Sequence, residues 1–470
     1  MVTATQTPFQ LTGLAALRCG WQFARDPLVA MCRAYDDYGP FVVVGKALPF
    51  VHHPRTVLLG VPLILTVGAA FNRDVLNSNA WRPVSLLPGG PRNSAARRLS
   101  ENLTRMTGRR HAHYRKLIAP PLRKANVDAL GENMIRLVEE HLASWPVGDT
   151  IDLVEFMYRL VRDVTIELLF GGDKVLGYSI ADLARRVMER KWSASVMSFR
   201  VNLPMTPYGQ NVREAAVLER NVIEWAETKR GDHNTRDLVS IIVNNPDPDG
   251  NPSDSTTIAR SIPALLTMTS EACQTTLIWA LLLLEQHPQV ARDLLAELAD
   301  VPPALDAIMN LPRLDSVIKE TMRLIPAVPL QMRVAEQETA LAGFSVPKNS
   351  RLVLSAFLTN RMPDIYPEAD RFLPERWWRI NPTPFEYLAF GGGPRQCPGF
   401  QFALNVLKIV LAATVKRYRT ALAPDARIDY RIQPALQPTG RVPVTLHAQD
   451  GAFAPAPIRG AVRKLVRFPI

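Results

Sequence analysis

The string 390–399, Phe-Gly-Gly-Gly-Pro-Arg-Gln-Cys-Pro-Gly, restricts this chain more than any other stretch. Gly391, Gly392 and Gly393 give a loop without side-chain bulk, able to lie flat against a large planar ligand and to take positive φ where a turn needs it. Cys397 stands just before an apolar run, 400–411, of helical character. The unpaired N–H groups and partial positive charge of a helix start favour a thiolate over a thiol, and a thiolate can ligate iron. Pro398 suits the first helical turn, where no backbone donor is required, and Gly399 leaves the sulfur side uncrowded.

The rest of the composition sets broad limits. Of 470 residues, 47% are apolar and 21% charged, ordinary for a soluble globular chain with enough material for a sizeable core. Cys19, Cys32, Cys273 and Cys397 are scattered, with no Cys-x-x-Cys pair, so neither a disulfide framework nor a zinc site is expected and the chain reads as cytoplasmic. The first apolar stretch, 11–17, lacks the flanks of a secretory signal. The longest, 57–71, falls short of the roughly 20 residues that span a bilayer and contains Gly60, Pro62 and Gly68; it reads as strands followed by a helix, not a transmembrane anchor. The net charge of +11 is spread along the chain without a basic block, which argues against nucleic acid and for a solvated basic face or a docking patch for an acidic electron-transfer protein.

Taken in order, 1–74 mixes amphipathic runs with β-branched clusters at 41–44 and 63–67, and 77–108 reads as a long irregular loop of the kind that serves as a lid. In 109–118, His111 and Arg115 are four apart, so on a helix they share a face and can reach one anionic group. The pattern is helical from 127 to 245, interrupted by a loop at 191–210. A long, nearly all-apolar helix is expected over 262–286, with Glu271 embedded in it. A carboxylate there must be paired, protonated or functional. Glu320 and Arg323 are three apart on another helical face, suited to an ion pair. Hairpins are expected around 347–350 and over 435–444, with a basic surface tail after Gln449.

The loop meets the heme-binding pattern Phe-Gly-x-Gly-x-Arg-x-Cys-x-Gly at every fixed position, so the chain resembles the cytochrome P450 family. The resemblance covers about 30–448 and implies a mainly α fold with small β-sheets: a lead segment 1–29, a single catalytic domain 30–448 and a basic tail 449–470. It implies heme b (iron protoporphyrin IX), since no Cys-x-x-Cys-His attachment motif is present. Cys397 would be the proximal iron ligand, Phe390 would pack beside the thiolate, and Arg395, His111, Arg115 and Arg333 would neutralise the propionates. Glu320, Arg323 and Arg376, the last from Pro374-Glu375-Arg376-Trp377, would form the structural triad. Met268, Ala327, Val328 and Leu330 would line an apolar substrate pocket.

One departure stands out. Where the family's oxygen-activation helix carries an acid followed by a threonine, this chain has Glu271 followed by Ala272, which has no hydroxyl to relay protons. A competing register would use Gln274 and Thr275, at the expense of three deleted residues before His287-Pro288. Ser270, Thr275, an ordered water or a substrate hydroxyl are the candidates to replace the relay. The implied reaction is insertion of one oxygen atom of O₂ into a hydrophobic small organic molecule, with electrons from a separate ferredoxin and reductase. A peroxygenase, isomerase or dehydratase is the alternative that Ala272 raises, and a non-catalytic heme sensor or carrier is a third.

Overall fold

The computed structural model describes residues 7–45, 62–84, 89–171, 175–232, 237–247, 249–433 and 435–469. The first part of the apolar run at 57–71 and residues 85–88 of the expected loop lie outside them. The architecture is mainly α with four small sheets, as expected, and the chain divides into two compact units.

The first unit takes 1–88, 323–370 and 380–397. Its centre is a six-stranded sheet in the order Phe9–Leu11, Phe41–Val44, Leu63–Thr66, Arg351–Ser355, Leu330–Ala335, Trp81–Pro83. Phe41–Val44 and Leu63–Thr66 are buried at every position, which is why they read as continuous apolar runs rather than alternating ones: both sheet faces are covered. Phe41, Ile64, Phe71, Val75, Leu352 and Leu354 belong to one buried cluster. Beside the sheet lie helices Gly13–Arg25 and Pro27–Tyr38. The second starts where it does because the Asp26 carboxylate accepts from the N–H groups of Leu28 (3.1 Å) and Val29 (3.2 Å), and Pro27 fits the first turn without needing a donor.

The second unit takes 89–322, 371–379 and 398–470 and is built on the 32-residue helix Ser255–Gln286. At 1.5 Å per residue this helix is about 48 Å long. Leu153–Leu169, Leu176–Lys191, Pro207–Thr228 and Phe400–Arg417 pack against it. Near its end Trp279, fully buried, donates its indole N–H to the Leu436 carbonyl at 2.7 Å, tying the helix to the two-stranded ribbon Asp429–Ile432/Leu436–Thr439.

Several expected boundaries move. The long helix begins seven residues before 262, because Asp254 caps it by accepting from Thr257 N–H (2.6 Å), and Pro263 sits inside it. The irregular stretch 77–108 contains a strand, Trp81–Pro83, paired with Leu330–Ala335, and a short helix, Ala95–Leu99, capped by Ser94. The loop at 191–210 contains helix Ala194–Ser198, and the next helix opens at Pro207. The turn at 347–350 does not join hairpin partners. It leads from Phe344–Val346, paired with Thr339–Leu341, into Arg351–Ser355, paired with Leu330–Ala335, and Asn349 takes a left-handed φ of 68° there. Residues 435–444 likewise divide between two sheets: Leu436–Thr439 pairs with Asp429–Ile432, while Pro443–Ala448 pairs with Tyr418–Leu422 and Thr150–Asp152.

The tail beyond Gln449 is not an appendage. Ile458, Val462, Leu465 and Val466 are at most 2% exposed, and Ala456 N–H donates to the Glu285 carboxylate at 2.9 Å. Val462→Asp would force a charge into this packing, so it should lower unfolding free energy by roughly 3 kcal/mol. Arg467→Ala should change little, and urea denaturation of both variants checks the contrast.

Candidate active site

In the first unit the cysteine loop is closed by its own backbone. Cys397 N–H donates to the Phe390 carbonyl (2.9 Å), Gly391 N–H to Leu388 (3.0 Å) and Gln396 N–H to Gly393 (3.0 Å). Gly391 and Gly393 take φ of 69° and 62°, a region that disfavours side chains. A Cβ on Gly393 would lie 2.7 Å from the Leu76 carbonyl and Asn77 Oδ1, and one on Gly392 would lie 3.3 Å from the Phe385 ring. Gly393 is therefore required by both its turn and its packing and Gly391 by its turn, while Gly392 sits tightly against Phe385. Phe390 and Cys397 are half-buried.

A hydrogen-bonded chain runs to this loop from the helix Pro312–Leu324. Arg323, fully buried, donates to the carbonyls of Asn360 (3.0 Å) and Ala369 (2.8 Å) and lies over the Tyr366 ring. The Asn360 side chain accepts from Leu388 N–H at 3.1 Å, and Leu388 in turn holds Gly391. Buried Asn72 steadies the same segment, donating to Phe385 O at 2.9 Å. Sequence reasoning missed Asn360 and Asn72. Their partners lie far off in sequence, and an asparagine by itself carries no pattern.

Arg333 is also buried, on strand Leu330–Ala335, and donates to Met332 O and Gln331 Oε1, both at 3.0 Å. Burial, and then the nearby Arg395 guanidinium, lower its pKa to about 10. No carboxylate partners Arg333 among the described residues. Two cations repelling one another in a partly desolvated place fit a bound anion such as a pair of heme carboxylates. Ala327 and Leu330 are half-buried and Val328 is 48% exposed, apolar surface of the kind a hydrophobic ligand covers.

In the second unit Glu320 is wholly buried. It accepts from Arg376 Nε (2.9 Å) and Leu373 N–H (3.0 Å) on one oxygen and from Trp377 Nε1 (3.0 Å) on the other. His111 and Arg115, both half-buried, lie on helix Gly108–Ile118 at the spacing that puts them on one face.

The long helix presents two different faces. Met268, 47% exposed, and Ala272 share one by their spacing of four. Two nearby hydroxyls are bound to helix carbonyls, Ser270 donating to Leu266 and Thr276 to Ala272, each at 2.9 Å, and Thr275, the other relay candidate, is buried. Thr267, Glu271 and Gln274 line a separate cavity of about 300 Å³. Glu271 Oε2 is shielded from solvent and has no hydrogen-bond partner. Desolvation, with a smaller push from Glu189 and opposed by Arg185 and Arg431, raises its pKa to about 8. Of the three states open to this carboxyl group, the protonated one holds at neutral pH.

A carboxyl group whose pKa is raised on folding binds its proton more tightly in the native state, so its contribution to stability is full below the unfolded value. That contribution falls as pH rises through the folded value. The stability difference between the wild type and Glu271→Gln should therefore shift in favour of the variant as pH climbs from about 4.5 towards 8, read by urea denaturation across that range. Glu320→Ala strands Arg376 in the interior and should cost about 3–5 kcal/mol in the same measurement.

Comparisons with known proteins agree with this layout. The family model for Cytochrome P450 matches residues 62–442. Cyclooctat-9-en-7-ol 5-monooxygenase of Streptomyces melanosporofaciens is 26% identical over 356 residues, 72% of this chain and 77% of the relative. Beta-amyrin 28-monooxygenase CYP716A378 of Saponaria officinalis is 23% identical over 457 residues, 91% of this chain and 90% of the relative. Among solved structures, the retinoic acid bound cyanobacterial CYP120A1 superposes with a TM-score of 0.77 at 22% identity, covering 92% of this chain and 96% of that one.

Proposed function

The chain belongs to the cytochrome P450 family, and on that premise we propose that it is a heme b monooxygenase acting on a hydrophobic small organic substrate. The bound heme iron would activate O₂, one atom entering the substrate and the other leaving as water, with two electrons supplied singly by a separate ferredoxin and reductase. No helix among the described residues is long and apolar enough to cross a membrane.

The observation that carries the reading is the closed 390–397 loop, with Cys397 at its end and the Arg333 and Arg395 cations in the same unit. Cys397 is the proposed iron ligand, its thiolate shielded by Phe390, and the tie from its N–H to Phe390 O fixes the end of the loop. Arg333, Arg395, His111 and Arg115 are the proposed propionate partners. Glu320, Arg323 and Arg376 have a structural part: each is buried and spends its polar atoms on backbone or on one another's segments. Met268, Ala327, Val328 and Leu330 are the proposed apolar contacts for substrate. Glu271, protonated at neutral pH, is the proposed proton donor of the long helix.

Ala272 supports a second reading, a heme-thiolate enzyme such as a peroxygenase, isomerase or dehydratase that needs no relay from O₂. The Ser270 hydroxyl is already bound to a helix carbonyl, so in the first reading the missing donor is Thr275, an ordered water or the substrate's own hydroxyl. Isotopically labelled dioxygen separates the two: label in the product supports the monooxygenase, and unlabelled product formed without reductant supports the second.

Optical titration of the ferric holoprotein with terpenoid alcohols, steroids, fatty acids and small aromatics should give a low-spin to high-spin change with one class. Cys397→Ala should abolish the thiolate signature of the reduced carbonyl complex while leaving the far-ultraviolet spectrum of the fold unchanged. Ala272→Thr should leave product formed per electron unchanged or lower it by crowding. A large gain would mean that no substrate hydroxyl or water fills the gap.

A further inference from the structure

The cavity beside Glu271 has an unusual balance of charge. Arg162 is paired with Asp163 (2.7 Å) and Asp182 (2.9 Å), Arg185 with Glu189 (3.1 Å) and Glu155 (3.2 Å), and the exposed Arg441 stands 3.7 Å from Asp152. Arg431, on the ribbon strand Asp429–Ile432, has no carboxylate partner among the described residues, and its buried Nε has no hydrogen-bond acceptor. Across the same cavity Glu271 Oε2 is buried and equally without a partner. Native interiors rarely leave two such groups unmatched, and each costs about 1–3 kcal/mol unless something else meets it. Tyr158, Ser270, Gln274 and Gln433 add further polar atoms to the wall, and Val154, Ala181, Met188, Leu266 and Pro438 supply its apolar contacts.

We propose that this cavity is a binding site for a small organic monocarboxylate, its carboxylate held by the Arg431 guanidinium and by the Glu271 carboxyl group, its apolar body against Met188 and Leu266. The chemistry is selective. A guanidinium fork donates two parallel N–H bonds to a carboxylate. A protonated Glu271 donates its O–H to the same group, and an ionised one repels it. A single negative charge matches the single unpaired cation, and a cavity of about 300 Å³ is at the lower end of the range for small-molecule sites. Because Glu271 immediately precedes Ala272 on the long helix, occupancy would also hold the Glu271 proton in place. Bound anion and bound proton must each favour the other to the same degree.

The inference does not depend on the substrate or on the reaction type, and its test needs neither. Calorimetric titration of the purified holoprotein with benzoate at neutral pH should show saturable one-to-one binding, with the uncharged analogue benzamide failing to bind. Arg431→Gln should weaken benzoate binding by about tenfold or more, as expected for loss of a charge-assisted bidentate contact, while its thermal midpoint stays close to that of the wild type. Raising the pH beyond the Glu271 value of about 8 should weaken binding to the wild type, and Glu271→Gln should bind with an affinity that no longer changes over that range. The proposal is overturned by absence of saturable binding, by equal affinity in Arg431→Gln, or by the same pH dependence in Glu271→Gln and wild type. Any of these outcomes would mean that water alone fills the cavity or that benzoate binds elsewhere, and none would bear on the monooxygenase reading.

Discussion

Burying the Arg323 guanidinium is the commitment on which the cysteine loop depends. A buried cation that cannot lose its proton must be surrounded by oxygen, and here the oxygens include the main-chain carbonyls of Asn360 and Ala369. Those carbonyls are held in position by the helix that brings Arg323 in, and Asn360 then passes the constraint to Leu388 and so to Gly391. The glycine triplet converts this support into a tight turn, with Leu76, Asn77 and Phe385 occupying the space that side chains would need. The loop is thus fixed from behind before any ligand is considered. This is the preorganisation a metal ligand needs if its geometry is to be set by the protein.

Glu320 plays the matching part in the second unit. Its two carboxylate oxygens collect Arg376 Nε, Leu373 N–H and Trp377 Nε1, so the segment 371–379, which has little regular structure apart from Pro374–Trp378, is organised around one buried charge. Packing alone would hold such a segment weakly. A single acceptor with several directed donors holds it in one arrangement. The motif arginine and glutamate, three positions apart on one helix, therefore each organise an irregular stretch of chain, and that division of labour explains why both are wholly buried.

Legibility in the sequence followed the range of the interaction. The cysteine loop, the Glu320/Arg323 spacing and the long apolar helix were readable because their signals are local strings. The start of that helix was not, because its first turn is polar and is fixed by the Asp254 cap rather than by hydrophobic spacing. Strand partners at 344–355 and 436–448 were misassigned because antiparallel neighbours in sequence were assumed to be neighbours in the sheet, whereas here adjacent strands join different sheets. The tail offered no such signal: Ile458, Val462, Leu465 and Val466 are buried, yet only Ala461–Lys464 is helical, as a 3-10 turn, so their burial follows from tertiary packing and not from a helical period.

The long helix joins these threads. The cavity side of the helix and its Met268–Ala272 stripe meet at Glu271, which follows Met268 by three residues and so lies beside it, with its Oε2 shielded from solvent. In a helix with a threonine after the acid, a hydroxyl would carry the proton between the two. With alanine in that place, and with Ser270 and Thr276 donating to carbonyls of the preceding turn, a path from Glu271 is left to Thr275, water or a bound molecule. On the proposed reading, the burial that raises the Glu271 pKa would store a proton, its delivery depending on whichever polar atom completes the path. On the proposed monooxygenase reading, proton transfer would then be conditional on occupancy, and selectivity would come from what completes the path as well as from what fits the apolar surface.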